Sequence, residues 1–135
     1  MLAAALCGFA SIAAHAETKK FHATMDGASE VPAKTTEGKG TVDATLDTST
    51  KVLTYTMAYS GLTGPATAAH LHGPALPGAN AGVMVPFSNP STPIKGTVTL
   101  TPEQVTNLKA GKEYVNVHTA QNPGGEIRGQ IKPAT

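Results

Sequence analysis

Three histidines are the residues in this chain whose types and spacing best suit chemistry. His70 and His72 stand two apart in Ala69-His70-Leu71-His72, and His118 closes the run Tyr114-Val115-Asn116-Val117-His118. Side chains on a strand alternate between its two faces, so positions two apart share a face. His70 and His72 therefore point the same way, with Leu71 on the other side. Val115 and Val117 claim the core face of their strand, which leaves His118 on the opposite face with Asn116 and Tyr114. The same parity in Glu126-Ile127-Arg128-Gly129-Gln130-Ile131 sends Ile127 and Ile131 inward, and Glu126, Arg128 and Gln130 outward. All three histidines and Arg128 are expected on the outside of a sheet.

A group of neutral imidazoles is a common protein solution for binding copper or zinc. His70, His72 and His118 are thus expected to form a surface site for one copper ion, with zinc as the alternative. The Irving–Williams order favours copper. Calcium and magnesium would ask for oxygen ligands instead. The plainer reading is that these are solvated polar residues on a strand exterior. Met84, between Val83 and Val85, offers either a soft fourth ligand favouring Cu(I) or an ordinary packing side chain. Glu126 could accept an N–H from a ligating imidazole, or pair with Arg128 or a nearby lysine. Arg128 could attract an anion or simply be solvated. His22, between Phe21 and Ala23, reads as an exposed strand residue. No catalytic residue is assigned. Ser60, Ser88 and Ser91 fall in turn-like segments without a histidine partner, so nothing supports hydrolysis.

These residues need strands to position them, and alternation marks where the strands run. Phe21, Ala23 and Met25 share a face; so do Val42, Ala44 and Leu46, and then Leu53, Tyr55, Met57 and Tyr59. Asp47-Thr48-Ser49-Thr50 is a hairpin turn. Further strands are expected over residues 66–72, 83–87, 94–100, 113–119 and 126–131, the last two joined by Asn122-Pro123-Gly124-Gly125. About eight short strands with frequent turns predict an all-β Greek-key sandwich or flattened barrel. One short connecting helix is expected, with Thr101 as cap, Pro102 in the first turn, Val105 and Leu108 as its apolar stripe and Gly111 as its stop. Residues 73–82 read as a long surface loop.

Composition agrees. In 135 residues there are 14 glycines and 10 prolines, only 14% charged residues and no tryptophan. That mixture suits turns and strands in one domain with one modest core. A net charge of +1, without a basic patch, argues against a nucleic-acid partner. Residues 1–16 read as a signal peptide ending in Ala14-His15-Ala16, too short to span a membrane. Cleavage there leaves residues 17–135 as the mature domain in a periplasmic or secreted setting. It also removes Cys7, the chain's single cysteine, so neither a disulfide nor a thiolate ligand is expected.

The histidine runs and the long C-terminal motif resemble a known family. Ala69-His70-Leu71-His72-Gly73-Pro74, Tyr114 to Thr119 and Asn122 to Ile131 are similar to the chordin-type (CHRD) domain, as are Phe21-His22-Ala23 and Glu30-Val31-Pro32. The likeness spans about residues 20 to 132. It implies an exported single domain of a kind also found as repeats in an extracellular regulator of animals. A weaker likeness is to the Greek-key barrel of copper-zinc superoxide dismutase. There His70, His72 and His118 match copper ligands, and Arg128 resembles the anion-guiding arginine. The departures are specific: residues 73–93 contain no histidine for a bridging or zinc ligand, and no cysteine pair exists.

Three functions are consistent with these features. The first is an exported copper-binding protein for storage, delivery or sequestration, which is more a binding protein than an enzyme. The second is a dismutase-like redox enzyme, which needs a cycling metal and an open coordination position. The third is a metal-free extracellular interaction module with a protein partner.

Overall fold

The computed structural model describes Gly8 and residues 17–134. The expected export segment, with Cys7 in it, lies outside the described residues apart from Gly8. The described residues contain nine antiparallel strands and one helix: β1 (Thr18–Asp26), β2 (Lys39–Asp47), β3 (Val52–Ser60), β4 (Ala66–His72), β5 (Val83–Pro86), β6 (Ile94–Thr99), α1 (Pro102–Lys109), β7 (Tyr114–Thr119), β8 (Ile127–Gln130) and β9 (Lys132–Ala134). The all-β expectation holds, with the short β9 as an addition. No helix among the described residues is long and apolar enough to cross a membrane.

The strands form one curled sheet in the order β5-β4-β7-β8-β1-β2-β3-β6, with β9 also paired to β1. It curls into a half-barrel where one strand changes partners. β8 pairs with β7, from Tyr114 opposite Gln130 to Val117 opposite Ile127. After Ile131 the chain continues as β9, which pairs with β1 from Lys20 to His22. β1 meets β8 directly at a single pair, Asp26 opposite Arg128. Gly129 permits this junction. A Cβ there would lie 2.6 Å from the Thr24 carbonyl oxygen, so only glycine lets the two backbones come this close.

The core is what the alternation dictates. Phe21, Ala23, Met25, Val42, Ala44, Leu46, Leu53 and Met57 come from one wing of the sheet, and Ala69, Leu71, Val115, Val117 and Ile127 from the other. Burial of a side chain of this size contributes about 1.5–3 kcal/mol. The helix closes one end by burying Leu108 completely. Its start is fixed by a capping box in which the Thr101 hydroxyl accepts from the Gln104 N–H while the Gln104 side chain accepts from the Thr101 N–H. Gly111 follows at φ +73°, the left-handed conformation that ends helices.

Candidate metal centre

β4 and β7 are antiparallel neighbours, and their register decides which outward side chains meet. His70 lies opposite Asn116, His72 opposite Tyr114, and His118 opposite Ala68. His118 is therefore on the diagonal from His70, within reach of a long side chain. The next strand extends these rows, with Arg128 opposite Asn116 and Gln130 opposite Tyr114. The three imidazoles do converge. Each offers a nitrogen such that the three lie within 4.8 Å of one another. The ring centres of His70 and His118 are 4.8 Å apart, and those of His70 and His72 are 5.5 Å apart, both edge-to-face.

The face that carries them is not the solvated exterior that strand parity suggests. His72 is 8% exposed, Asn116 4%, Tyr114 2% and Arg128 1%, while His70 and His118 are half-buried. Residues 73–82 are the cause. They form a loop, as expected, but the loop folds back over the outer face of β4, β7 and β8. Arg128 anchors it: Nη1 donates to the Ala79 carbonyl and Asn80 Oδ1, and Nη2 donates to the Leu76 carbonyl and Gln130 Oε1. Gln130 donates in turn to the carbonyl oxygens of Ala75 and Gly111. The guanidinium carbon sits 3.5 Å from the centre of the Tyr114 ring, which stacks in parallel on His72 at 4.8 Å. Arg128 is therefore not solvated, and its Nη hydrogens go to backbone and amide oxygens rather than to a bound anion.

Two of the imidazoles are held in a definite protonation form. His72 Nδ1 lies 2.9 Å from the Ala81 carbonyl oxygen, and His118 Nδ1 lies 2.8 Å from the Pro123 carbonyl oxygen. A carbonyl oxygen can only accept, so both Nδ1 atoms carry the proton. In the neutral rings this leaves both Nε2 atoms with a free electron pair. Fixing one ring nitrogen on a carbonyl is the usual way a protein orients a metal-binding histidine. The two Nε2 atoms point to the same place. His72 Nε2 is 2.9 Å and His118 Nε2 3.0 Å from Asn116 Oδ1, and His70 Nδ1 is 3.0 Å from His118 Nε2. Burial, then repulsion from the charged forms of His118 and His72, lowers the pKa of His70, so it stays a neutral donor further into mild acid.

The other candidate residues fall elsewhere. Glu126 neither accepts from an imidazole nor pairs with Arg128 or a lysine. It is fully buried and accepts from the hydroxyls of Thr36, Thr63 and Thr119, the Thr63 N–H and the Asn122 amide. Burial alone would raise its pKa, but the hydrogen bonds from Thr63, Thr119 and Thr36 outweigh that and bring it down to about 2. It acts one step out from the histidines: by holding Asn122 it braces the turn whose Pro123 carbonyl fixes His118. Met84 is half-buried against the core, with its sulfur packed where a Cβ on Gly73 would stand. His22 is apart from the cluster, hydrogen-bonded through Nδ1 to Asp43 Oδ1 at 2.8 Å.

Sequence parity put Asn116 and Tyr114 on the histidine face but gave them no role. The signal for Asn116 was its place two residues before His118, the same spacing that joins His70 to His72. In the sequence, Glu30 figures only in the CHRD-like run Glu30-Val31-Pro32, without a role; it comes from the segment after β1, and its carboxyl group lies beside the Asn116 amide nitrogen.

The family profile of the CHRD domain matches residues 21–131. That span holds most of β1, all of β2 to β8, the covering loop and all three clustered histidines. No curated protein and no solved structure matches the chain. With the profile covering nearly the whole chain, the protein belongs to the CHRD domain family.

Proposed function

We propose that this protein is an exported metal-binding protein that holds one copper ion through His70, His72 and His118. The observation that carries this reading is the fixed tautomer of His72 and His118. Both spend their ring proton on a backbone carbonyl and turn a free Nε2 electron pair toward the same point. The fit is chemical as well as geometric: three borderline nitrogen donors and no thiolate suit copper or zinc, and copper ranks above zinc for such a set. The half-exposed His70 and His118 leave the site open on one side, while the covering loop shuts the His72 side. Storage, delivery or sequestration is the role such a site serves. A dismutase-like activity is disfavoured, because the arginine that would guide an anion is occupied by the loop.

Copper titration against a competing chelator tests the proposal, on the parent and on His70→Ala, His72→Ala and His118→Ala. The parent should bind one equivalent, and each variant should bind far more weakly while keeping its strand circular dichroism. Folded variants that bind as tightly as the parent would show the assignment to be wrong. A parent that binds no metal would favour the metal-free interaction module.

A further inference from the structure

We propose that Asn116 supplies a fourth donor, its side-chain oxygen, and that this oxygen makes the site select divalent ions over Cu(I). The proposal rests on the three-histidine reading. It begins from a count of protons. Neutral His72 and His118 have one ring proton each, and the carbonyls of Ala81 and Pro123 take both. What remains at the centre is two nitrogen electron pairs and the carbonyl oxygen of Asn116, at 2.9 and 3.0 Å. The His70 Nδ1 proton can satisfy His118 Nε2. In the neutral His72 ring no proton is left to lie between Nε2 and Asn116 Oδ1. Electron pairs facing each other at such distances repel one another unless a cation lies among them.

The amide is held in this orientation from behind. Glu30 is 5% exposed and its carboxyl group lies beside Asn116 Nδ2, so Oδ1 is the end of the amide turned toward the histidines. Glu30 Oε1 has no hydrogen-bond partner of its own. The two side chains meet over Gly125, at φ +121°, where a Cβ would stand 2.6 Å from Glu30 Oε1 and 2.7 Å from Asn116 Nδ2. Glu30, Asn116 and Gly125 thus form one packed unit with the amide oxygen on its inner side. Oxygen is a hard donor, suited to Zn(II) and Cu(II) and poorly suited to Cu(I).

The experiment measures affinities for Zn(II), Cu(II) and, under anaerobic conditions, Cu(I), each by competition with a chromophoric chelator. It compares the parent, Asn116→Ala and Asn116→Asp. Loss of the oxygen in Asn116→Ala should weaken Zn(II) and Cu(II) by about tenfold or more, the size expected for a group that supports a metal site, while Cu(I) changes far less. Asn116→Asp keeps an oxygen in the same place and adds charge, so the divalent-over-Cu(I) ratio should rise above the parent's. This variant is nearly isosteric and carries the test if Asn116→Ala does not fold. Equal losses for all three ions in Asn116→Ala, or an unchanged ratio in Asn116→Asp, would reduce Asn116 to a packing residue and overturn the proposal. In that event the histidine variants still decide the three-histidine reading separately. A parent that binds none of the ions overturns both.

Discussion

The two wings of the sheet carry the same alternation and put it to different uses. On β2 and β3 the residues facing away from the core, Thr41, Asp43, Thr54, Thr56 and Ala58, stand exposed. On β7 and β8 the corresponding residues, Tyr114, Asn116 and Arg128, are buried as deeply as the core valines behind them. β7 is thus buried on both faces from Tyr114 to Val117, one apolar and one polar. The difference comes from the loop over residues 73–82. Covering polar groups removes water, and that costs free energy unless each group finds a partner. The covered wing meets most of this requirement with carbonyl oxygens, amides and aromatic stacking, Glu30 Oε1 being an exception. The open wing needs nothing because water supplies the partners. A chemically special site can be built only on the first kind of surface, where protonation and orientation are set by the protein.

Removing the loop's anchor should break this contrast most severely. Arg128→Ala leaves the carbonyls of Leu76 and Ala79 and the side chains of Asn80 and Gln130 without their donor. The expected cost is about 3 kcal/mol or more, read as a lower midpoint in urea unfolding. Copper binding should weaken with it, because the Ala81 carbonyl that orients His72 belongs to the same loop. Arg128→Lys should not rescue it, since one ammonium cannot span four acceptors.

A smaller loss is expected at Glu126. Every partner of this carboxylate is a donor, so Glu126→Gln turns an amide NH₂ against hydroxyls, an N–H or another amide. The expected destabilisation is about 2 kcal/mol. The pH profile sharpens the point. The folded-state pKa of about 2 lies below the ordinary 4.5, so the stabilisation is present above that ordinary value and fades as pH falls toward 2. The parent and Glu126→Gln should differ in stability near pH 7 and converge in acid. A constant difference down to pH 2 would contradict the assigned hydrogen bonds.

Glu113 should behave in the opposite sense. It is fully buried, neither carboxyl oxygen has a partner, and burial raises its pKa to about 8. The folded protein holds this proton where the unfolded chain has lost it, so the Glu113 contribution to stability is greatest below pH 4.5 and declines as pH rises toward 8. Glu113→Gln removes the titration and should gain on the parent by an amount on the order of 1 kcal/mol or more near pH 8, with little difference at pH 4. No gain at pH 8 would mean that the carboxyl is ionised and paired in the fold.

The open wing supplies the smallest effect. Thr56→Ala changes an exposed residue on β3, and stability should stay within about 0.5 kcal/mol of the parent, with copper affinity unchanged. A larger effect would show that the two wings are not as different as their burial indicates.

Much of the molecule follows from local rules applied to the sequence. Alternation located eight of the nine strands, because one buried face repeats every second residue. Thr101, Pro102, Leu108 and Gly111 marked the helix, because capping and termination are local events. The same parity put His70, His72 and His118 on one face, and the CHRD likeness made their convergence an expectation. Tertiary structure decided whether that face is wet or covered. Parity reports which side of a strand a residue takes, not what packs on that side. So the burial of Arg128 and Tyr114 depended on residues 73–82 folding back, and the partners of Glu126 came from Thr36 and Thr63, more than sixty residues away in the chain. Asn116 was visible only as a neighbour of His118. Its place between His72 and His118, with Glu30 behind it, exists only once three distant segments have packed together. Hydrogen-bond donors and acceptors are matched by the folded arrangement, and no local pattern in the chain encodes that matching.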